Sequence, residues 1–512
     1  MRRTVAIVIT ALSCASLVAC SSTVESNLGG GPDGSPDAGD DVASGGPDGD
    51  GPGDDASEQA DVGVPDVEDT TVESDTDALT DTPITDPDID ISPDVDTPDT
   101  PEPPADWPVR YPTDRVQSPI TDAVLDNLLA INNRGVGQQE DVFMKVGDSI
   151  TEDARALFCY SGNGVDLGAW PDLQPTRAWF LAGDAAGSDP FSRDSDAVLS
   201  GRTAGWAISG SPSPIVSEMN AIAPLFSLVQ YGTNDMHQGT TFESALWAYG
   251  DNMANLVEQQ LARGIIPILI TIPQRADRAD ADRWVPTYNA IIRGLAETHQ
   301  IPLIDLHLAL EGVTGFGLGG DGIHLNGGSG PCNMTGDALN HGNNTRNLAL
   351  LQALDRVRRA VLLGEGGLDP AGPRPQGDGS AAAPFVIPSL PWADRRDTTQ
   401  SIHLDLDRYT GCASTADESG PEFLYRYETS RAVTIRAMVF DRGDVDIDLH
   451  LLDASATESG CIARSDRIIE ATLAPGTYHF ALDSYVSSNG TVRAGEYLFV
   501  MLECAAGDPD CP

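Results

Sequence analysis

The chain has 512 residues and a formal charge of −48, from 78 acidic against 30 basic side chains. So acidic a balance leaves no basic patch to neutralise phosphates, which excludes nucleic acid as an expected partner. Eight cysteines and eight histidines are present, but no His-Glu-x-x-His or paired Cys-x-x-Cys spacing, so neither a metal centre nor a cofactor is expected.

Residues 1–20 open with "MRR", continue with the apolar run "TVAIVITALSCASLVA" and reach Cys20. This is a secretory signal, too short and wrongly flanked for a membrane span. "LVAC", Leu17 to Cys20, resembles the lipobox of bacterial lipoproteins. The resemblance implies that Cys20 is acylated as the first mature residue, anchoring the protein to a membrane of the cell envelope. Ser21 after it resembles the pattern that sorts lipoproteins to the outer membrane.

Residues 21–106 hold 26 acidic side chains and no Lys or Arg, among Pro, Gly, Ser and Thr. Such a segment cannot bury enough apolar surface to offset its ordering entropy, and its charges repel. It is predicted to be an extended, disordered tether. "DGDGPGDD" (48–55) has some calcium-loop character, but no regular Asp-x-Asp-x-Asp-Gly repeat with a closing Glu follows.

Residues 107–363 alternate short apolar runs with amphipathic stretches. Strands are predicted at 141–147 ("DVFMKVG"), 226–232 ("FSLVQYG"), 265–271 ("IIPILIT") and 301–306 ("IPLIDL"), and helices at 243–263, 284–299 and 344–363. Strands apolar throughout and separated by helices indicate a parallel sheet covered on both faces. The fold class is therefore α/β, three layers, with the active site beyond the C-terminal ends of the strands.

Three motifs occur in order within this block: "GDSIT" (147–151), "YGTND" (231–235) and "DGIH" (321–324). Each ends a strand or occupies the late loop before the last helix. They suit ester hydrolysis, which needs a hydroxyl nucleophile, a base, an orienter for the base and donors for the oxyanion. Ser149 supplies the hydroxyl, and its N–H, opening a helix, faces developing negative charge. His324 is the candidate base, with Asp321 folded back to fix its tautomer. Asn234 offers an amide donor. Asp148 is read as structural. The α/β-hydrolase elbow Gly-x-Ser-x-Gly is missing from the chain.

Together the three motifs resemble blocks I, III and V of the SGNH, or GDSL-type, hydrolase family, over about 110–363. The resemblance implies a flavodoxin-like α/β/α domain, a catalytic set Ser149, Asp321 and His324, and an oxyanion hole from Ser149, Asn234 and a block II glycine. That glycine is taken as Gly201, in "DAVLSGRTAGWAISG" (196–210), with Gly205 the alternative; the Asn that often precedes it in the family is missing. The implied activity is a serine esterase or acylhydrolase working through an acyl-serine, without cofactor. Its implied partner is an ester substrate such as an acylated glycan or lipid. An inert, glycan-binding surface lipoprotein is the other reading, against which the intact Ser, Asn, Asp and His set argues.

With Cys20 assigned to lipid, six cysteines remain in the mature chain, and an even number in an exported protein reads as disulfides. Pairing within blocks predicts Cys159–Cys332, tying the serine's helix to the histidine loop. Cys412, Cys461, Cys504 and Cys511 leave three connectivities open. Residues 364–384 are Gly- and Pro-rich and are predicted to be a linker. Residues 385–512 consist of short alternating segments with turns between them, an antiparallel β-sandwich. "DVDIDLHLLD" (444–453), "LAPGTYHFALDSY" (473–485) and "GEYLFVMLEC" (495–504) resemble the bacterial pre-peptidase C-terminal domain, which implies an accessory role in attachment or secretion.

Overall fold

A computed structural model describes residues 109–511, apart from 154–155, 329 and 373–374. The predicted signal, Cys20 and the predicted tether lie outside the described residues. β1 (Gln139–Gly147), β2 (Pro224–Gln230), β3 (Ile266–Ile270) and β4 (Leu303–Ile304) form a parallel sheet in that order. Every residue of β2, β3 and β4 is buried, as expected of strands covered on both faces. β1 buries even its lysine. The Lys145 Nζ donates to the Phe191 carbonyl at 3.0 Å and sits 3.7 Å from the Phe158 ring centroid; burial lowers its pKa to about 7.

Nine α-helices surround the sheet among the described residues: α1 (Asp122–Asn132), α2 (Ser149–Glu152), α3 (Gln174–Leu181), α4 (Ala204–Ala207), α5 (Pro214–Ile222), α6 (Phe242–Leu261), α7 (Ala279–Thr298), α8 (Leu306–Glu311) and α9 (Gly342–Val357). Thr241 and Ser244 close a capping box at the start of α6, satisfying two first-turn donors reciprocally. α7 begins five residues before the predicted 284. Asp280 and Asp282 occupy its first turn, where carboxylates favour the helix N-terminus, and Pro286 sits inside it. α2 is a single turn, and Leu157 beyond it has a positive φ of 63°.

The C-terminal part holds two sheets. One runs β10 (Cys461–Ser465), β9 (Ile447–Leu452), β12 (Gly476–Ser484), β7 (Glu422–Thr429) and β5 (Phe385–Ile387); the other β11 (Ile468–Leu473), β8 (Val433–Asp441), β13 (Glu496–Glu503) and β6 (Trp392–Asp397). Neighbours are antiparallel except β5 with β7. This is the expected β-sandwich, and Tyr425, Ile435, Leu449, Phe480 and Phe499 fill its core.

The sandwich is not a loose appendage. In β13, Tyr497, Phe499 and Met501 face the sandwich core, while Leu498, Val500 and Leu502 join the core of the α/β layers. That two-sided burial explains why "YLFVML" is apolar without a break. α7 packs against β6 and β13, and a Cβ on Gly294 would lie 3.0 Å from the Ala393 methyl. Buried Arg436 donates to Thr287 Oγ1 at 2.8 Å, pairs with Glu470 and Asp508, and lies 3.7 Å from the Trp284 ring. Residues 364–384 contain no regular element among those described, yet they are pinned. The Leu368 and Asp369 N–H groups donate to the Ile120 carbonyl, and Leu424 N–H to Gly379.

Three disulfides are present among the described residues: Cys159–Cys332, as predicted, with Cys412–Cys461 and Cys504–Cys511, which settle the open connectivity. Cys159 belongs to a 3₁₀ turn at Phe158–Ser161 beyond α2, so the first bridge ties that turn, rather than the serine's own helix, to the loop after His324.

Candidate active site

At the C-terminal end of β1 the chain turns sharply into α2. Asp148 is its N-cap: extended at φ −103°, with Oδ1 accepting the Ile150 N–H at 2.9 Å. Ser149 is the first helical residue, so its own N–H has no intrahelical partner. Alongside, residues 197–199 lie parallel to the end of β1. Gly147 N–H donates to the Ala197 carbonyl at 3.1 Å, and Leu199 N–H to the Gly147 carbonyl at 3.2 Å.

His324 and Asp321 come from a hairpin between α8 and α9. Leu318 and Leu325 bridge it, and Gly319 N–H donates to the His324 carbonyl at 2.7 Å. The Ile323 and His324 N–H groups donate to Asp321 Oδ1 at 3.1 and 3.0 Å, a side-chain turn that folds the carboxylate back. Its Oδ2 lies 2.7 Å from His324 Nδ1, and His324 Nε2 lies 2.7 Å from Ser149 Oγ. The hydrogen bond to His324 holds the Asp321 pKa down at about 2. An ionised Asp321 accepts from Nδ1–H, which leaves the Nε2 lone pair for the serine hydroxyl.

Asn234 follows β2 through Gly232, whose φ of 134° suits glycine. Its Nδ2 donates to Asp148 Oδ2 and to the Arg202 carbonyl, both at 3.1 Å. Both amide hydrogens thus face protein acceptors, and donation to a substrate oxygen requires one to be shared or released. Gly201 occupies the turn 199–202 at φ 72°, one residue before the carbonyl that holds Asn234. Gly205 lies in α4, where a Cβ would meet Asn252 Nδ2 at 2.8 Å; its place is in helix packing. Ser149, Gly201, Asn234, Asp321 and His324 therefore converge where β1 and β2 end.

Beneath them lies a floor of buried carboxylates. Asp148 is pushed up to about 6 by burial. Asp235 accepts the N–H groups of Ala204 (2.9 Å) and Gly232 (3.0 Å), and burial, aided by the negative charge of Asp148, raises it to about 7. Arg346, also buried, donates to the Ile150 carbonyl.

The motif reading passed over two supports of the hairpin. Asn326 N–H donates to the Gly317 carbonyl at 2.8 Å, its Oδ1 accepts the Gly342 N–H at 3.0 Å, and its Nδ2 donates to Leu318. Asn343 Nδ2 donates to the Leu325 carbonyl at 3.0 Å. Asn326 lies two residues beyond "DGIH", so its nearness to His324 was the available signal; Asn343 has none.

No group of three or more His, Cys, Asp or Glu residues poised to hold a metal occurs among the described residues. Residues 146–327 match the model of the GDSL-like lipase/acylhydrolase family. A comparison with curated proteins finds no match. Among solved structures, the chain is similar to a GDSL-like lipase from Bacteroides thetaiotaomicron, at 18% identity over 46% of this chain and 98% of that one, TM-score 0.28. An acetylxylan esterase from Geobacillus stearothermophilus is 16% identical over 43% of this chain and 95% of that one, TM-score 0.28. The pre-peptidase C-terminal domain of a collagenase from Bacillus anthracis is 15% identical over 23% of this chain and 91% of that one, TM-score 0.15.

Proposed function

We propose that the protein is a serine ester hydrolase of the cell envelope, working through an acyl-serine intermediate. The observation that carries this reading is the unbroken relay Asp321–His324–Ser149, with both hydrogen bonds at 2.7 Å. His324 Nε2 takes the Ser149 proton as Oγ bonds to the ester carbonyl carbon. The carbonyl oxygen becomes an oxyanion facing the N–H groups of Ser149 and Gly201 and the Asn234 amide. As the tetrahedral adduct collapses, the carbon–alkoxide bond breaks and His324 returns the proton to the leaving alcohol. Water then attacks the acyl-serine by the same steps in reverse roles.

A short acyl group on a polar carrier, such as an acetylated glycan, is the substrate class we favour. The Asp321 and His324 side chains are 51% and 38% exposed, and exposed Arg202 adjoins Asn234. A polar, open mouth of this kind suits a hydrated carrier better than a long acyl chain, whose transfer needs apolar cover. The lipobox motif supports anchorage through Cys20, with residues 21–106 spacing the enzyme from the membrane.

Ser149→Ala, assayed beside the wild type on 4-nitrophenyl acetate, long-chain esters and acetylated polysaccharide, tests the activity. Wild-type hydrolysis of the acetyl esters, lost in the variant, is expected. Equal rates for the two proteins overturn the proposal. For the anchor, Cys20→Ala is expected to release the protein from the membrane fraction; retention there rejects lipidation.

A further inference from the structure

We infer that Arg275, which no motif includes, is a positioning residue that locks the oxyanion-hole loop to the support of the catalytic hairpin; this rests on the serine-hydrolase reading above. Arg275 follows β3 and is only 4% exposed. A guanidinium has five N–H donors in a rigid fork, and here each has an acceptor. Nη1 donates to the Thr233 carbonyl at 3.0 Å and to Met236 Sδ at 3.3 Å. Nη2 donates to His237 Nε2 at 3.2 Å and to Asp277 Oδ2 at 2.9 Å. Nε donates to Asp277 Oδ1 at 2.8 Å. Because the guanidinium only donates, His237 accepts through Nε2 and carries its proton on Nδ1.

Thr233, Met236 and His237 flank Asn234 on both sides, so the fork grips the loop that presents the amide. Its other face chelates Asp277, and the backbone there carries the hairpin. Gly322, between Asp321 and His324, sits at φ 71° so close that a Cβ would lie 2.6 Å from the Asp277 nitrogen and 2.8 Å from the Ala276 carbonyl carbon. One side chain thus joins the element holding the oxyanion donor to the element under the acid–base pair. The Arg275 N–H also donates to Asp282 Oδ1 at 2.7 Å, fixing the loop to the first turn of α7. Arg275 touches none of the reacting atoms. Its effect is on the placement of Asn234 relative to His324, which matters most in the transition state.

Lysine keeps the charge but presents a point ammonium with three donors, and cannot span both loops. Arg275→Lys and the milder Asp277→Asn are compared with wild type after the reactive serine is counted with diethyl 4-nitrophenyl phosphate. Per labelled site, kcat on 4-nitrophenyl acetate is expected to fall roughly 10- to 100-fold in Arg275→Lys, with KM unchanged. Asp277→Asn should fall less, in the same direction. A residue that merely supports the fold lowers the labelled fraction and leaves kcat per site intact; that result in both variants overturns the inference. If Arg275→Lys does not fold, Asp277→Asn decides alone. Failure of the wild type to label at Ser149 sinks the serine-hydrolase reading itself, and this inference with it.

Discussion

Replacing Asp321 by Asn removes one charge and keeps the shape of the hairpin. Oδ1 still accepts from the Ile323 and His324 N–H groups, which lie 3.1 and 3.0 Å away. What is lost is the carboxylate partner of His324 Nδ1 at 2.7 Å. A charge-assisted hydrogen bond contributes ~1.5–3 kcal/mol. With the two side chains 51% and 38% exposed, solvent screens the imidazolium that forms during reaction and water can replace the partner. Taking ~2 kcal/mol, the expected loss in kcat/KM is about 30-fold. A buried triad aspartate gives ~10⁴-fold for the same change. The assay is 4-nitrophenyl acetate hydrolysis per organophosphate-labelled serine, at one fixed pH for both proteins. No loss would show that Asp321 does not orient the base; a loss near ~10⁴-fold would show that the dyad is shielded in action and that the screening argument is wrong.

Asn234→Ala is expected to lower kcat by ~10²–10³-fold with KM little changed, the effect of one oxyanion donor; steady-state kinetics showing a rise in KM alone would reassign Asn234 to substrate binding. A chain ending at Leu363 should fail to unfold cooperatively by circular dichroism, because it leaves α7 without β6 and β13. A sharp thermal transition at the full-length temperature would contradict that. Burial raises Asp148 to about 6 and Asp235, Glu297 and Glu422 to about 7. The folded state therefore binds these protons more tightly than the unfolded chain, whose carboxylates titrate near pH 4. Their stabilisation is complete below that range and disappears as pH rises through about 6 to 7. Thermal scans should show Tm falling from pH 5 to pH 8, and a rising Tm across that window would refute the assignment.

The parallel sheet was legible because 142–144 and 265–270 are apolar without alternation, beyond what one buried face requires, and two-sided burial is what a covered sheet imposes. The site was legible for a related reason: the Ser149 and Asn234 motifs follow the ends of β1 and β2, and the His324 motif occupies the late loop before the last helix. Arg275 was not, because its five acceptors lie on two loops whose proximity only the fold creates. The same holds for Asp148, which was read only as structural: it caps α2 and also accepts from Asn234. The packing of the sandwich against α7 escaped the sequence reading because "YLFVML" in β13 is apolar on both faces. A short run of that kind does not say which layer covers the second face. Composition marked residues 364–384 as a linker but gave no sign of the backbone bonds that tie them to Ile120 and Leu424, since Gly and Pro report conformational permission and not partners.

The central claim is tested most directly by mass spectrometry of the peptide containing Ser149 after treatment with diethyl 4-nitrophenyl phosphate. The serine relay predicts one phosphoryl adduct, on Ser149, with hydrolysis lost in proportion to labelling and no adduct in His324→Ala. Ester hydrolysis that persists when Ser149 is fully labelled, or an adduct on another residue, would contradict it.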